Sequence, residues 1–141
     1  MKRIKKEFVQ RMISHINRKA WWHCPPLDPE AYSKRGKFYA SSFAECEFYG
    51  RPLDTPDRVR IQNPIIGDEF SVHRVLFGKT VRIPDGHPRT IEMRLALDAR
   101  MKKAALAKGY DAIVILATRT FKKFKAEGEI PRSIELNALK P

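Results

Sequence analysis

The stretch Trp21–Gly50, WWHCPPLDPEAYSKRGKFYASSFAECEFYG, decides how this chain is read. Ala20–Cys24 is an aromatic strand stopped by Pro25 and Pro26, which cannot donate to a ladder. Residues 27–36 form a loop with room for a short turn of helix, and Lys37–Ala40 is a second strand. Ser42 opens a helix with Glu45 three residues on, the spacing of a capping box. Gly50 supplies a left-handed residue to end that helix. The order strand, loop, strand, capped helix gathers His23 and several aromatic rings on the floor of a cleft.

Upstream, residues 1–19 read as a basic amphipathic helix with Ile4, Phe8, Met12, Ile13 and Ile16 along one face. Such a helix either packs on a core or engages a membrane or nucleic acid. Downstream, Arg58–Gln62 alternates as a half-buried strand and Asn63-Pro64 breaks it. Asp68 caps a short helix through Phe77, and Thr80–Ile83 is a further strand. Thr90 caps the longest helix, which runs to Lys108 with Ile91, Leu95, Ala99 and Leu106 on its core face. Tyr110–Ala117 holds a buried strand. Residues 118–128 read as a basic, interrupted loop with some helix, and Ile130–Leu139 as the last strand. His15, His73 and His87 lie in polar or turn surroundings and read as surface residues.

These elements give one α+β domain over residues 1–141: a basic N-terminal helix (1–19) and a core (20–141) of two small, mostly antiparallel sheets flanked by helices. A length of 141 residues suits one core, and 43% hydrophobic residues are enough to pack it. The two cysteines, Cys24 and Cys46, form no CxxC pair and read as reduced thiols of a cytoplasmic protein. No metal is expected, because no His or carboxylate cluster joins them at ligand spacing. No apolar run approaches the roughly 20 residues that span a bilayer. The net charge of +12 draws the chain toward anions such as nucleic acid, acidic membrane or a phosphate-bearing ligand. No glycine-rich phosphate loop is present.

Four segments together resemble a small ADP-ribosyltransferase, of the branch shared by poly(ADP-ribose) polymerases, diphtheria-type toxins and phage-borne transferase domains. They are AWWHC, GKFYASSFAECEFYG, VRIQNPIIGDE and ALAKGYDAIVIL, in this order across Ala20 to Pro141. The resemblance implies NAD as substrate, held in a cleft between two sheets, and a macromolecular acceptor, protein or nucleic acid. It implies that His23, beside Trp22, hydrogen-bonds the nicotinamide ribose and that Tyr49 stacks on nicotinamide. Phe38 falls where the family often has a tyrosine, with Tyr39 as its neighbour. Ser41 and Ser42 can help hold the carboxamide or cap the helix. Cleaving the nicotinamide–ribose bond builds positive charge on the ribose, which a carboxylate stabilises. Glu129, just before Ile130, is the foremost candidate; Glu135 follows, and Glu127 completes a paired-glutamate pattern with Glu129.

By analogy, the setting is a phage or bacterial effector acting on host machinery. Two other readings remain open. One is a basic nucleic-acid-binding module without NAD chemistry, with Lys102, Lys103, Arg119, Lys122, Lys123 and Lys125 on phosphates. The other is an RNA 2′-phosphotransferase-like enzyme on the same fold.

Overall fold

The computed structural model describes residues 3–47, 50–53 and 55–140. In chain order its elements are α1 (Lys6–Arg18), β1 (Ala20–Trp21), α2 (Ala31–Arg35), β2 (Lys37–Ala40), α3 (Phe43–Glu47) and β3 (Asp57–Arg58). There follow β4 (Pro64–Gly67), α4 (Glu69–Phe77), α5 (Thr90–Ala107), β5 (Ala112–Ile115), α6 (Thr118–Glu127) and β6 (Glu135–Ala138). The architecture is α+β with two small, mostly antiparallel sheets.

The larger sheet runs β2-β6-β5-β4. β6 is antiparallel to both its neighbours, and β4 is parallel to β5. β1 pairs with β3, and a single bridge from Trp22 to Ala40 joins this ribbon to the larger sheet. The register sets two faces, because side chains alternate along each strand. One face carries the row Tyr39, Leu136, Val114, Ile66; the other carries Phe38, Asn137, Ile113, Ile65 and, one row on, Ala40, Glu135, Ile115, Gly67.

Each face has its own cover. On the first, Phe8, Met12 and Ile16 of α1 and Phe121 and Phe124 of α6 close over Tyr39, Val114 and Leu136. On the second, Val72 and Leu76 of α4 and Leu97, Met101 and Ala105 of α5 pack on Ile65 and Ile113. Full burial of a side chain such as Phe124 contributes roughly 1.5–3 kcal/mol. The apolar stripe of α1 is therefore consumed by the core.

Local signals hold where chemistry is local. Ser42 Oγ accepts the Glu45 N–H at 3.2 Å, and Asp68 Oδ1 accepts the Ser71 N–H at 2.8 Å. Other expectations change. The chain does not stay extended to Gln62; Pro64 opens β4 instead of breaking a strand. An edge strand tolerates proline on its unpaired side, and the Asp111 carboxylate accepts the N–H groups of Gln62 and Asn63 at 2.8 and 2.9 Å to dock β4 beside β5. Residues 80–83 form no strand: the Val81 N–H donates to His73 Nδ1 at 3.3 Å. His73 is fully buried rather than at the surface, with the rings of Phe70 and Phe77 at 6.3 and 6.2 Å. Residues 118–127 are regular helix, because Phe121 and Phe124 anchor them. Along α5 the packing face is Leu97, Met101 and Ala105, while Ile91 and Leu95 are exposed. Thr90 caps nothing; its single hydroxyl proton is shared between the Pro84 and His87 carbonyls, at 2.9 and 2.8 Å.

Gly128 ends α6 at φ 71°, and a Cβ there would collide with the Phe8 ring and the Arg11 guanidinium. Gly78 ends α4 at φ 76° with open space around it. Gly78→Ala is expected to cost about 1 kcal/mol for the left-handed backbone alone. Gly128→Ala is expected to cost about 2–4 kcal/mol, since α1 must also shift. Urea unfolding of the two variants measures the difference.

Candidate functional site

The second face of the sheet is only partly covered. α4 and α5 lie over Ile65 and Ile113, and the end bearing Phe38 and Glu135 stays open. Two adjoining hollows of about 520 and 340 Å³ occupy this opening, and they share Phe38, Arg94, Asp98 and Glu135. Arg35 and both cysteines border the smaller one; Glu69 and Asn137 border the larger.

Glu135 opens β6 opposite Ala40 on one side and Ile115 on the other. Its position is fixed from the residue before it. The buried Ser41 hydroxyl accepts the Ile134 N–H at 2.9 Å and donates to the Ile134 carbonyl at 3.3 Å. Ser41 thereby ties the end of β2 to the start of β6.

Asp98 of α5 stands across the cleft. Burial pushes its carboxyl up to about 6, with Glu135 and Glu69 adding to the rise and Arg35 and Arg94 opposing it. A carboxyl that titrates near neutrality in a cleft beside a second carboxylate is suited to proton transfer. Arg94 also reaches Glu69 at 3.7 Å, an exposed pair that contributes little stability.

His23 is buried, and both its ring nitrogens are engaged. Nδ1 lies 2.7 Å from the Phe38 carbonyl, which only accepts, so Nδ1 carries the proton. Nε2 then accepts from the Tyr32 hydroxyl at 2.7 Å. Burial lowers its pKa, partly offset by the bond to Phe38, and keeps this neutral tautomer. A direct bond from His23 to a ribose therefore finds no free ring nitrogen in this arrangement. What His23 does here is hold Phe38, whose ring is exposed at the cleft floor.

The other sequence candidates divide. Tyr39 points its ring to the α1/α6 face, 5.6 Å from His23, and its hydroxyl donates to Asp57 at 3.4 Å beside Lys37. Trp22 sets its ring edge-on to Phe43 at 5.2 Å. Ser42 is the α3 cap. Tyr49 lies outside the described residues. Glu127 and Glu129 are exposed at and beyond the end of α6, in the layer on the opposite face, and border none of the hollows described. Of the three glutamates, only Glu135 reaches the cleft.

Sequence reading missed Asp98, Arg94, Arg35 and Asn137. Asp98 had a signal: an acid beside Leu97 and three residues before Met101, on the inward stripe of α5. Asn137 had none. It is buried, donates through Nδ2 to the Arg35 carbonyl at 2.8 Å, and its Oδ1 fits only because Gly36 lacks a Cβ.

No protein-family model, no curated protein and no solved structure matches this chain.

Asp98 makes a pH prediction. A folded-state carboxyl raised from 3.8 to about 6 costs stability as pH rises through that interval. Asp98→Asn removes this loss. The variant is expected to be more stable than the parent by about 1–3 kcal/mol at pH 8, with the gain vanishing near pH 4. Thermal melts of both proteins across pH 4–8 check the sign and the window.

Proposed function

We propose that the protein is an NAD-dependent ADP-ribosyltransferase that modifies a macromolecular target, with Glu135 as its catalytic carboxylate. The observation that carries this reading is Glu135 at the head of β6, lining an open cleft together with the exposed Phe38 ring and two arginines, Arg35 and Arg94. Two adjoining hollows with arginine and carboxylate where they meet suit an elongated ligand with an anionic middle. The order of segments from Ala20 onward supports the same reading.

Each side chain then has a physical task. Arg35 and Arg94 hold the pyrophosphate through charge-assisted hydrogen bonds. Phe38 offers a flat apolar surface for nicotinamide, held in place by His23. As the C–N bond to nicotinamide breaks, its electron pair leaves with the ring, and the Glu135 carboxylate stabilises the positive charge left on the ribose. The acceptor forms the new bond and gives up a proton, for which Asp98, titrating near neutrality, is a suitable base.

The test measures nicotinamide released from NAD, with and without a bacterial cell extract. Glu135→Gln is expected to lower release about 10²–10³-fold, the usual cost of removing one electrostatic stabiliser. Glu129→Gln is expected to stay within twofold of the parent. Absence of release in every extract, together with no thermal stabilisation by NAD, overturns the assignment. Loss in Glu129→Gln but not in Glu135→Gln moves the carboxylate.

A further inference from the structure

We infer that the outer faces of α1 and α6 form a docking surface for single-stranded nucleic acid, on the side of the sheet away from the cleft. The two helices are neighbours. The Phe8 and Phe124 rings lie 6.4 Å apart, and Arg11 Nη1 donates to the Gly128 carbonyl at 2.8 Å. Their outward residues are basic. Lys6, Arg11 and Arg18 are exposed on α1, and Arg119, Lys122 and Lys123 are exposed on α6. The three on α6 stand at i, i+3 and i+4, so they share one face.

Glu7 and Glu127 are the carboxylates of the two helices, and Glu129 follows just beyond α6. Five ion pairs join side chains among the described residues, and none uses a cation of α1 or α6. A field of cations without carboxylate partners attracts a polyanion by displacing its counterions.

Two observations choose the polyanion. An interfacial membrane helix must present apolar side chains to lipid. Here Phe8, Met12, Ile13 and Ile16 are buried in the protein, so α1 has no apolar face left to insert. Beside the surface, a hollow of about 410 Å³ opens between α1, α4 and α6. Tyr110 and Phe121 stand in its wall, and Arg3 and Lys125 also line it. Cations along a backbone, next to a largely apolar hollow with the half-buried Tyr110 in its wall for an unpaired base to stack on, are the combination that single strands recognise.

The surface is independent of the cleft, so its test contains no NAD. Fluorescence anisotropy with a labelled 20-nucleotide single strand, the matching duplex and vesicles of phosphatidylcholine with phosphatidylserine measures binding at 50 and 200 mM salt. The single strand is expected to bind tightest, and to lose about 10²–10³-fold in affinity over that salt range. The triple variant Arg119→Gln/Lys122→Gln/Lys123→Gln is expected to weaken it at least tenfold and reduce the salt slope by about 2–3. A matched triple on the opposite layer, Lys79→Gln/Arg82→Gln/Arg100→Gln, is expected to stay within twofold. Circular dichroism confirms that both variants fold. Equal losses in the two triples, tighter binding to vesicles or to duplex, or no binding at 50 mM salt each overturn the inference.

Discussion

The last strand of the chain lies in the middle of its sheet. β6 takes hydrogen bonds from β2 on one side and from β5 on the other, so neither neighbour completes its ladder until residues 135–138 are in place. Backbone groups buried without partners are costly, and Leu136, fully buried, closes the core on the α1/α6 face. The Ser41–Ile134 bonds span 93 residues and set the point at which the strand begins. Contacts this distant in sequence make for slow assembly, because chain entropy is lost before any pairing compensates it.

The same strand divides the molecule into two unlike faces. Its alternation sends Leu136 to one face and Glu135 to the other. The Leu136 face is closed by two basic helices whose apolar residues are used up inside. The Glu135 face is closed only in part, and the open part is the cleft. A shift of one residue in the register of β6 would exchange these roles and place a carboxylate in the core. The register that makes the fold stable is therefore also the register that puts a carboxylate in the cleft.

Much of this was legible in the sequence, and the limits have physical causes. α1, β2, α3 and α4 announced themselves through periodicity, caps and glycine stops, all of them signals within a few residues. β4 was hidden, because its proline reads as a breaker unless the edge position and the Asp111 carboxylate, 48 residues beyond Asn63, are known. The helical state of residues 118–127 depended on Phe8 as a partner for Phe124. The packing face of α5 was misread because its apolar residues surround the helix, and only the sheet selects among them. In the cleft, the residues from one local segment, His23, Phe38 and Ser41, were found early, although His23 and Ser41 turned out to hold the frame. Asp98 and Arg94 came from a remote helix, and which glutamate lines the cleft depended on where β6 begins.

The two outer strands of the sheet bear on how the protein behaves when crowded. β4 is buried along its length and begins with a proline, and β2 meets the Trp22 bridge at its outer edge. Neither offers an open row of backbone donors to a second copy, the usual seed of fibrillar aggregation. A chain with this much positive charge is kept apart from its copies by repulsion until a polyanion neutralises it. Blunted edges mean that copies whose charge has been neutralised still lack a backbone route by which to lock together as a β-rich precipitate, so raising the salt can separate them again.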